Sequence, residues 1–398
     1  MNPTGLLRDS EKVSEILFSK MKRFHPAIAE FEFYEFKYGI KEFVPESGWD
    51  SVSLESPSTI EAKVTSKEFY KEINIKPIVN GRIGLDEIIV TFQQMLFAGL
   101  AIGCYSEDWV DKHFYFDPRS FMFYHRTDYF PAEIIRHLGG KPYRQFDRKQ
   151  RKFDSRQELG YRDFKLSNME VDNLFIHSAL KLSRFRGVPL ILAIAGQTAA
   201  GKTEIVDRLK EVFTREGFKV TSIEIDNFLT DRDEREEKGI HSEGKEALHL
   251  ELFKHALLDI RVEKQVTTPR YNFIDGTSSH SLDGKLKPGG VPIDIAPAEI
   301  IFIEGNFPFL IDEIAPLIGI KVVYLTDDPI RLKRKWRRDM DLRKKYDLNY
   351  FRNRYFKDQF IMAQVAYLPQ LLTCDIAVDT TGAAFWVTPE VMKSLDRN

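Results

Sequence analysis

The feature that most constrains this chain is the octapeptide Gly196-Gln197-Thr198-Ala199-Ala200-Gly201-Lys202-Thr203, which fits G-x-x-x-x-G-K-[ST] at every position. Its flanks matter as much as its letters. The run Pro189 to Ala195 (PLILAIA) is continuously apolar, as in a strand buried on both faces. After the motif, Ile205, Val206, Leu209, Val212 and Phe213 recur at helical spacing. Where a strand enters and a helix leaves a glycine-rich turn, backbone N–H groups converge on phosphate at the helix N-terminus. Lys202 would then carry charge to the β- and γ-phosphates, and the Thr203 hydroxyl would ligate Mg²⁺. All eight residues are expected to hold a nucleoside triphosphate, ATP with Mg²⁺.

From about Gly187 onward strand and helix patterns alternate, predicting an α/β fold over residues 181–398: a P-loop NTPase domain with a mostly parallel sheet. Lys219 to Asp226 reads as a strand and Lys245 to Ile260 as an amphipathic helix. Glu299 to Gly305 and Ile320 to Leu325 read as buried strands, Asp328 to about Lys345 as a basic helix, and Cys374 to Asp379 as a strand closing the sheet. Asp226 and Glu304 fall at strand C-termini, the edge where parallel sheets bind ligands. A carboxylate at 226 can take the proton of an attacking hydroxyl, although an Asp before Asn227 also suits a plain turn. One at 304 can hold Mg²⁺ or its water; the plainer alternative is a strand end facing solvent. In the basic helix Arg334 and Arg338 share a face, with Arg331 one turn earlier. That helix either closes over a triphosphate or forms a solvated charged surface. An N-K-x-D segment of the GTPase kind is absent from the sequence.

These pieces together resemble the phosphoribulokinase/uridine kinase family of P-loop kinases. The matching segments are GQTAAGKT, Asp226-Asn227-Phe228-Leu229, Pro269-Arg270-Tyr271-Asn272-Phe273, Ile303-Glu304-Gly305 and the run Arg331 to Asp339, in the family's order. The resemblance implies Asp226 as general base and Lys202 and Thr203 on phosphates and Mg²⁺. It also implies Glu304 near the metal, Arg334 and Arg338 in a lid, and Tyr271, with Arg270 beside it, at the phosphoryl acceptor. Gly276 and Ser278 stand where uridine kinases usually carry His and Arg, an insertion runs from Ser281 to Ala298, and Lys344 stands where the family often has Gly. The implied activity is ATP-dependent phosphoryl transfer to a hydroxyl of a small metabolite: a nucleoside, a sugar phosphate or an organic acid. Two rivals stay open, an ATP-binding regulatory protein and a P-loop kinase of larger substrates.

The resemblance says nothing about residues 1–180, which are expected to form a separate α+β domain. A chain of 398 residues has room for two domains. Ile88 to Tyr105 approaches membrane-spanning length, but Gln93, Gln94 and the flanking Asp86 and Glu87 favour a buried core helix. The stripe Phe114, Tyr115, Phe116, Phe121, Phe123 and Tyr124 reads as core. Between these aromatics His113, Asp117, His125 and Asp128 read as solvent-facing positions rather than a metal cluster. Asp147 to Lys165, charged and without apolar period, reads as a linker. Cys104 and Cys374 read as buried free thiols, and MNPTGLLRDSEK lacks the apolar run of a signal peptide. A cytoplasmic protein is expected. The net charge of −2 argues against a nucleic-acid partner. No membrane association is expected, and self-association stays open.

Overall fold

The structure, a computed structural model, describes residues 6–24, 26–75, 84–147, 161–240, 244–326, 328–344 and 346–397. The chain divides into two compact units. One comprises Met1–Asp128, Gln150–Phe164 and Tyr346–Ala363; the other comprises Tyr129–Lys149, Lys165–Lys345 and Gln364–Asn398. The boundary expected near residue 180 falls inside a helix, and residues 148–160 of the expected linker lie outside the described residues.

The N-terminal unit is mainly helical. Its central helix α1 (Glu87–Ile102) is buried around most of its surface, as the apolar run requires. Asp86 caps it, its Oδ1 accepting from Ile88 N at 2.9 Å, and Gly103 ends it with φ 80°. Gln93 is fully buried yet satisfied, because its amide exchanges two hydrogen bonds with the Phe123 backbone, at 3.0 and 2.8 Å. Phe123 belongs to a hairpin of β1 (Phe114–Asp117) and β2 (Met122–His125). Of the aromatic stripe only Phe121, at the hairpin turn, is less than buried. Asp117 is buried rather than solvent-facing, since its carboxylate takes two bonds from Arg119. Cys104 is exposed, against expectation, because it follows the helix terminator Gly103.

The second unit is built on a seven-stranded sheet of order β3-β13-β12-β11-β4-β10-β5. The strands are β3 (Arg144–Gln145), β4 (Leu190–Gly196), β5 (Val220–Glu224), β10 (Ile300–Gly305), β11 (Ile320–Leu325), β12 (Ile376–Asp379) and β13 (Ala384–Val387). From β5 to β12 the sheet is parallel; β13 and β3 add an antiparallel edge. Cys374 to Asp379 therefore lies inside the sheet rather than closing it. All seven residues of β4 are buried. Helix α2 (Tyr161–Arg186) contributes Val171, Phe175 and Ala179 to the core against the sheet, and α3 (Lys202–Arg215) contributes Ile205, Leu209 and Phe213. The Phe213 ring meets Phe302 edge-on at 5.3 Å. Burying one such side chain contributes about 2–3 kcal/mol.

Two sequence expectations shift locally. Residues 245–260 form a 3₁₀ turn, Lys245–Ala247, and then a helix, because Leu248 is drawn into a bridge with Leu229. After α4 (Arg232–Glu237), that later helix is α5 (Leu250–Arg261). The inserted segment returns as β9 (Ile293–Ile295), paired with β6 (Val266–Thr268); β7 (Tyr271–Asn272) and β8 (Thr277–Ser278) form a second short ribbon. The basic helix α6 (Asp328–Asp341) follows β11. The next helix, α7 (Leu348–Met362), belongs to the N-terminal unit. There Asn353, fully buried, accepts from Asp86 N at 3.0 Å and donates to Gly84 O at 2.7 Å, and Phe360 stacks on Tyr70 at 3.7 Å.

Candidate active site

The loop between β4 and α3 is shaped by three backbone requirements. Gly196 sits where a Cβ would lie 2.4 Å from Tyr324 O of neighbouring β11, so only glycine fits. Gly201 caps α3 with φ 103°, a left-handed conformation glycine adopts without strain. Ala199 takes φ 63° despite its Cβ, a cost that loops retain at functional sites. The outcome is a helix N-terminus whose first N–H groups have no intrahelical acceptor.

Lys202 Nζ donates to Gly196 O at 2.9 Å and Gln197 O at 3.0 Å, with Asn306 Oδ1 at 3.4 Å. Burial lowers its pKa, while the nearby carboxylates of Glu304 and Asp226 act to raise it. The Thr203 hydroxyl donates to the Glu304 carboxylate. Glu304 is 6 % exposed, and its pKa is pushed up to about 7, first by burial and then by Glu224 and Asp226; Lys202 and Thr203 pull it down.

Glu224 was not anticipated. It stands opposite Glu304 in the parallel register of β5 and β10. The surrounding protein and the Asp226 and Asp207 carboxylates raise its pKa. The pairing joins positions 224 and 304, too far apart for any local window of the sequence to reveal. Asp226 itself lies just past the strand, on the 3₁₀ turn Ile225–Phe228, because β5 ends at Glu224.

Gln197 is placed in the loop as expected, but its side chain serves the protein. Fully buried, it donates to Tyr129 Oη at 2.7 Å and Asp328 Oδ1 at 3.1 Å, and accepts from Thr326 N at 3.2 Å. It thus ties the loop to the start of α6. Thr198 and Ala200 complete the turn, Ala200 N donating to Gln197 O at 3.1 Å. From α6, Arg334 Nη1 reaches Ala199 O at 3.4 Å, and Arg338 is close enough to depress Lys202. Arg331 instead turns inward, 4 % exposed, and pairs with Asp328 at 3.0 Å.

Tyr271 is buried beside the Asp226 turn: its N–H donates to Asn227 Oδ1 at 3.3 Å, and its hydroxyl accepts from Arg235 Nη2 at 3.0 Å. Arg270 differs, presenting an exposed side chain while its N–H donates to Ser279 Oγ at 2.9 Å. The inserted segment contributes Lys287, which donates to Asp231 Oδ2 at 2.5 Å. His249 and His280 are both buried in this region, and burial holds His249 down to about 4. The Arg343 guanidinium lies 4.3 Å over the Phe273 ring, linking the segment after α6 to the Tyr271 ribbon.

Mg²⁺ takes one or two carboxylates together with substrate phosphates rather than an all-protein cage. Among the described residues no three His, Cys, Asp or Glu side chains form such a cage. A hydroxyl against a buried carboxylate, with two further acids raising its pKa, fits a hard divalent cation well. No helix of the described residues is long and apolar enough to cross a membrane.

The model of the phosphoribulokinase / uridine kinase family matches residues 191–379. The chain is 29% identical over 156 residues to the uridine kinase of Lactobacillus helveticus (strain DPC 4571), covering 38% of this chain and 68% of that one. It is 23% identical over 158 residues to the uridine kinase of Leuconostoc citreum (strain KM20), covering 39% and 70%. Among solved structures, phosphoribulokinase from Rhodobacter spheroides aligns at 19% identity over 48% of this chain and 70% of that one, with a TM-score of 0.34. The family model and the two uridine kinases support a P-loop small-molecule kinase at the level of the family, for the C-terminal half of the chain.

Proposed function

We propose that the second unit catalyses Mg²⁺·ATP-dependent phosphoryl transfer to a hydroxyl of a small metabolite. The observation that supports this reading is the Thr203 hydroxyl against the Glu304 carboxylate, with Lys202 within electrostatic reach of Glu304, Asp226 and Arg338 and with Arg334 of α6 at Ala199 O. Residues Gly196 to Thr203 would hold the triphosphate, and Thr203 and Glu304 the metal. Bound there, Mg²⁺ would neutralise charge on the phosphate oxygens. Asp226 would take the proton of the acceptor hydroxyl, which Tyr271 and the exposed Arg270 would help place. Arg334 and Arg338 would stabilise negative charge in the transition state, so that positioning and electrostatics supply most of the rate. The acceptor class follows from the family likeness and stays broad: nucleoside, sugar phosphate or organic acid.

ADP release is the direct test, run against nucleosides, pentose phosphates and hydroxy acids with a Lys202→Ala control. Stimulation by one compound, lost in the control, supports the reading and names the acceptor. ATP binding without stimulation by any of them would overturn it in favour of a regulatory or large-substrate role.

A further inference from the structure

The loop between β4 and α3 is held in part by residues from outside the segment 191–379 that matches the family. Tyr129 and Asp172 both belong to the second unit, the first ahead of β3 and the second on α2. At the entry of the loop the Tyr129 hydroxyl accepts from Gln197 Nε2 at 2.7 Å. Gln197 is fully buried, so this bond bears directly on how the first turn of the loop is set. At the exit the hold is indirect. Tyr324 of β11 stands opposite Gly196 in the sheet register, and its ring edge approaches Gly201, Cε1 lying 3.9 Å from where a Cβ would stand. The Tyr324 hydroxyl donates to Asp172 Oδ1 at 2.8 Å. Asp172 Oδ2 accepts from Arg208 Nη1 at 2.6 Å, on the helix that leaves the loop. One buried carboxylate therefore joins the strand beside the loop to the helix behind it.

We propose that Tyr129 and Asp172 are positioning residues for nucleotide binding, which fix the loop in the shape that points its N–H groups at phosphate. The inference rests on the reading of Gly196 to Thr203 as the nucleotide site. A loop with glycine at both ends has more backbone freedom to lose than most sequences. Within it Ala199 is held at φ 63°, a conformation that persists only where the surroundings over-determine it. Any ordering left until the ligand arrives subtracts from affinity, so a loop set beforehand binds more tightly. Tyr129 acts through Gln197, and Asp172 through Tyr324. The plain rival is that these bonds stabilise the fold and nothing more.

The experiment is a titration of the full chain with methylanthraniloyl-ATP and Mg²⁺, well below the melting temperature, with a melting curve for each variant. Tyr129→Phe and Tyr324→Phe each delete one hydroxyl and keep the ring. Each should weaken nucleotide binding about 3–10-fold, the worth of one ordinary hydrogen bond. Asp172→Ala should weaken it at least as much as Tyr324→Phe. Asp172→Asn, which keeps an acceptor for the Tyr324 hydroxyl, should restore most of the affinity. Should Asp172→Ala fail to fold, Tyr324→Phe gives the same readout. Unchanged affinity in both Phe variants, whatever their melting temperatures, overturns the proposal and leaves the functional reading standing. A parent chain that binds no nucleotide overturns both.

Discussion

The Thr203 hydroxyl donates to both oxygens of the Glu304 carboxylate, at 3.0 and 3.1 Å, joining a loop residue to a strand end 101 positions later. Glu304, ordinarily near 4.5, is held at about 7 in the fold. A carboxyl raised on folding contributes stability that is complete below 4.5 and lost as pH rises through 7. Glu304→Gln should therefore melt a few degrees above the parent at pH 8 without metal, the difference closing near pH 4.5. The same variant should lose about 10²-fold or more of its Mg²⁺-dependent ADP release. Melting curves across this pH range, with and without Mg²⁺, check both.

Asp226→Asn keeps the size of the side chain and removes its basicity. Turnover should fall about 10²–10⁴-fold with the KM for ATP little changed. Steady-state kinetics decide, and normal turnover would remove Asp226 as the base.

Gly196→Ala brings a methyl group to 2.4 Å from Tyr324 O, on backbone that cannot swing aside. The loop must part from β11, costing about 1–3 kcal/mol in urea unfolding and abolishing nucleotide binding. Unaltered ATP affinity would contradict this account of the loop.

Burial holds His125 and His249 down to about 4. Both stay neutral in the fold while the unfolded chain takes up protons below about 6.5. The stability they contribute is full above that value and is lost as pH falls to 4, at about 1–3 kcal/mol each. His125→Phe should flatten the acid limb of a stability profile, since Phe114 and Phe360 already surround that ring.

What the sequence made legible was whatever local pattern decides. The β4–loop–α3 unit, β10, β11 and the basic helix stand where apolar runs and glycines put them. Glu224 escaped because its significance comes from register with Glu304 across two strands, which no local window contains. Gln197 reads as one more loop residue until Tyr129, Thr326 and Asp328 are brought around it. Residues 245–260 look helical by period, yet a long-range bridge between Leu229 and Leu248 overrides that preference for the first turn. Hardest to foresee was the placement of α7, whose aromatic face could have packed on either unit.

That placement bears on dissection of the chain. The chain leaves the second unit after Lys345, spends 346–363 in the other, and returns. A fragment starting at Tyr129 or Lys165 would carry Phe356 and Phe360, both buried in the whole protein, without the Tyr70 ring against which both pack. Such a fragment should aggregate unless 346–363 is excised as well.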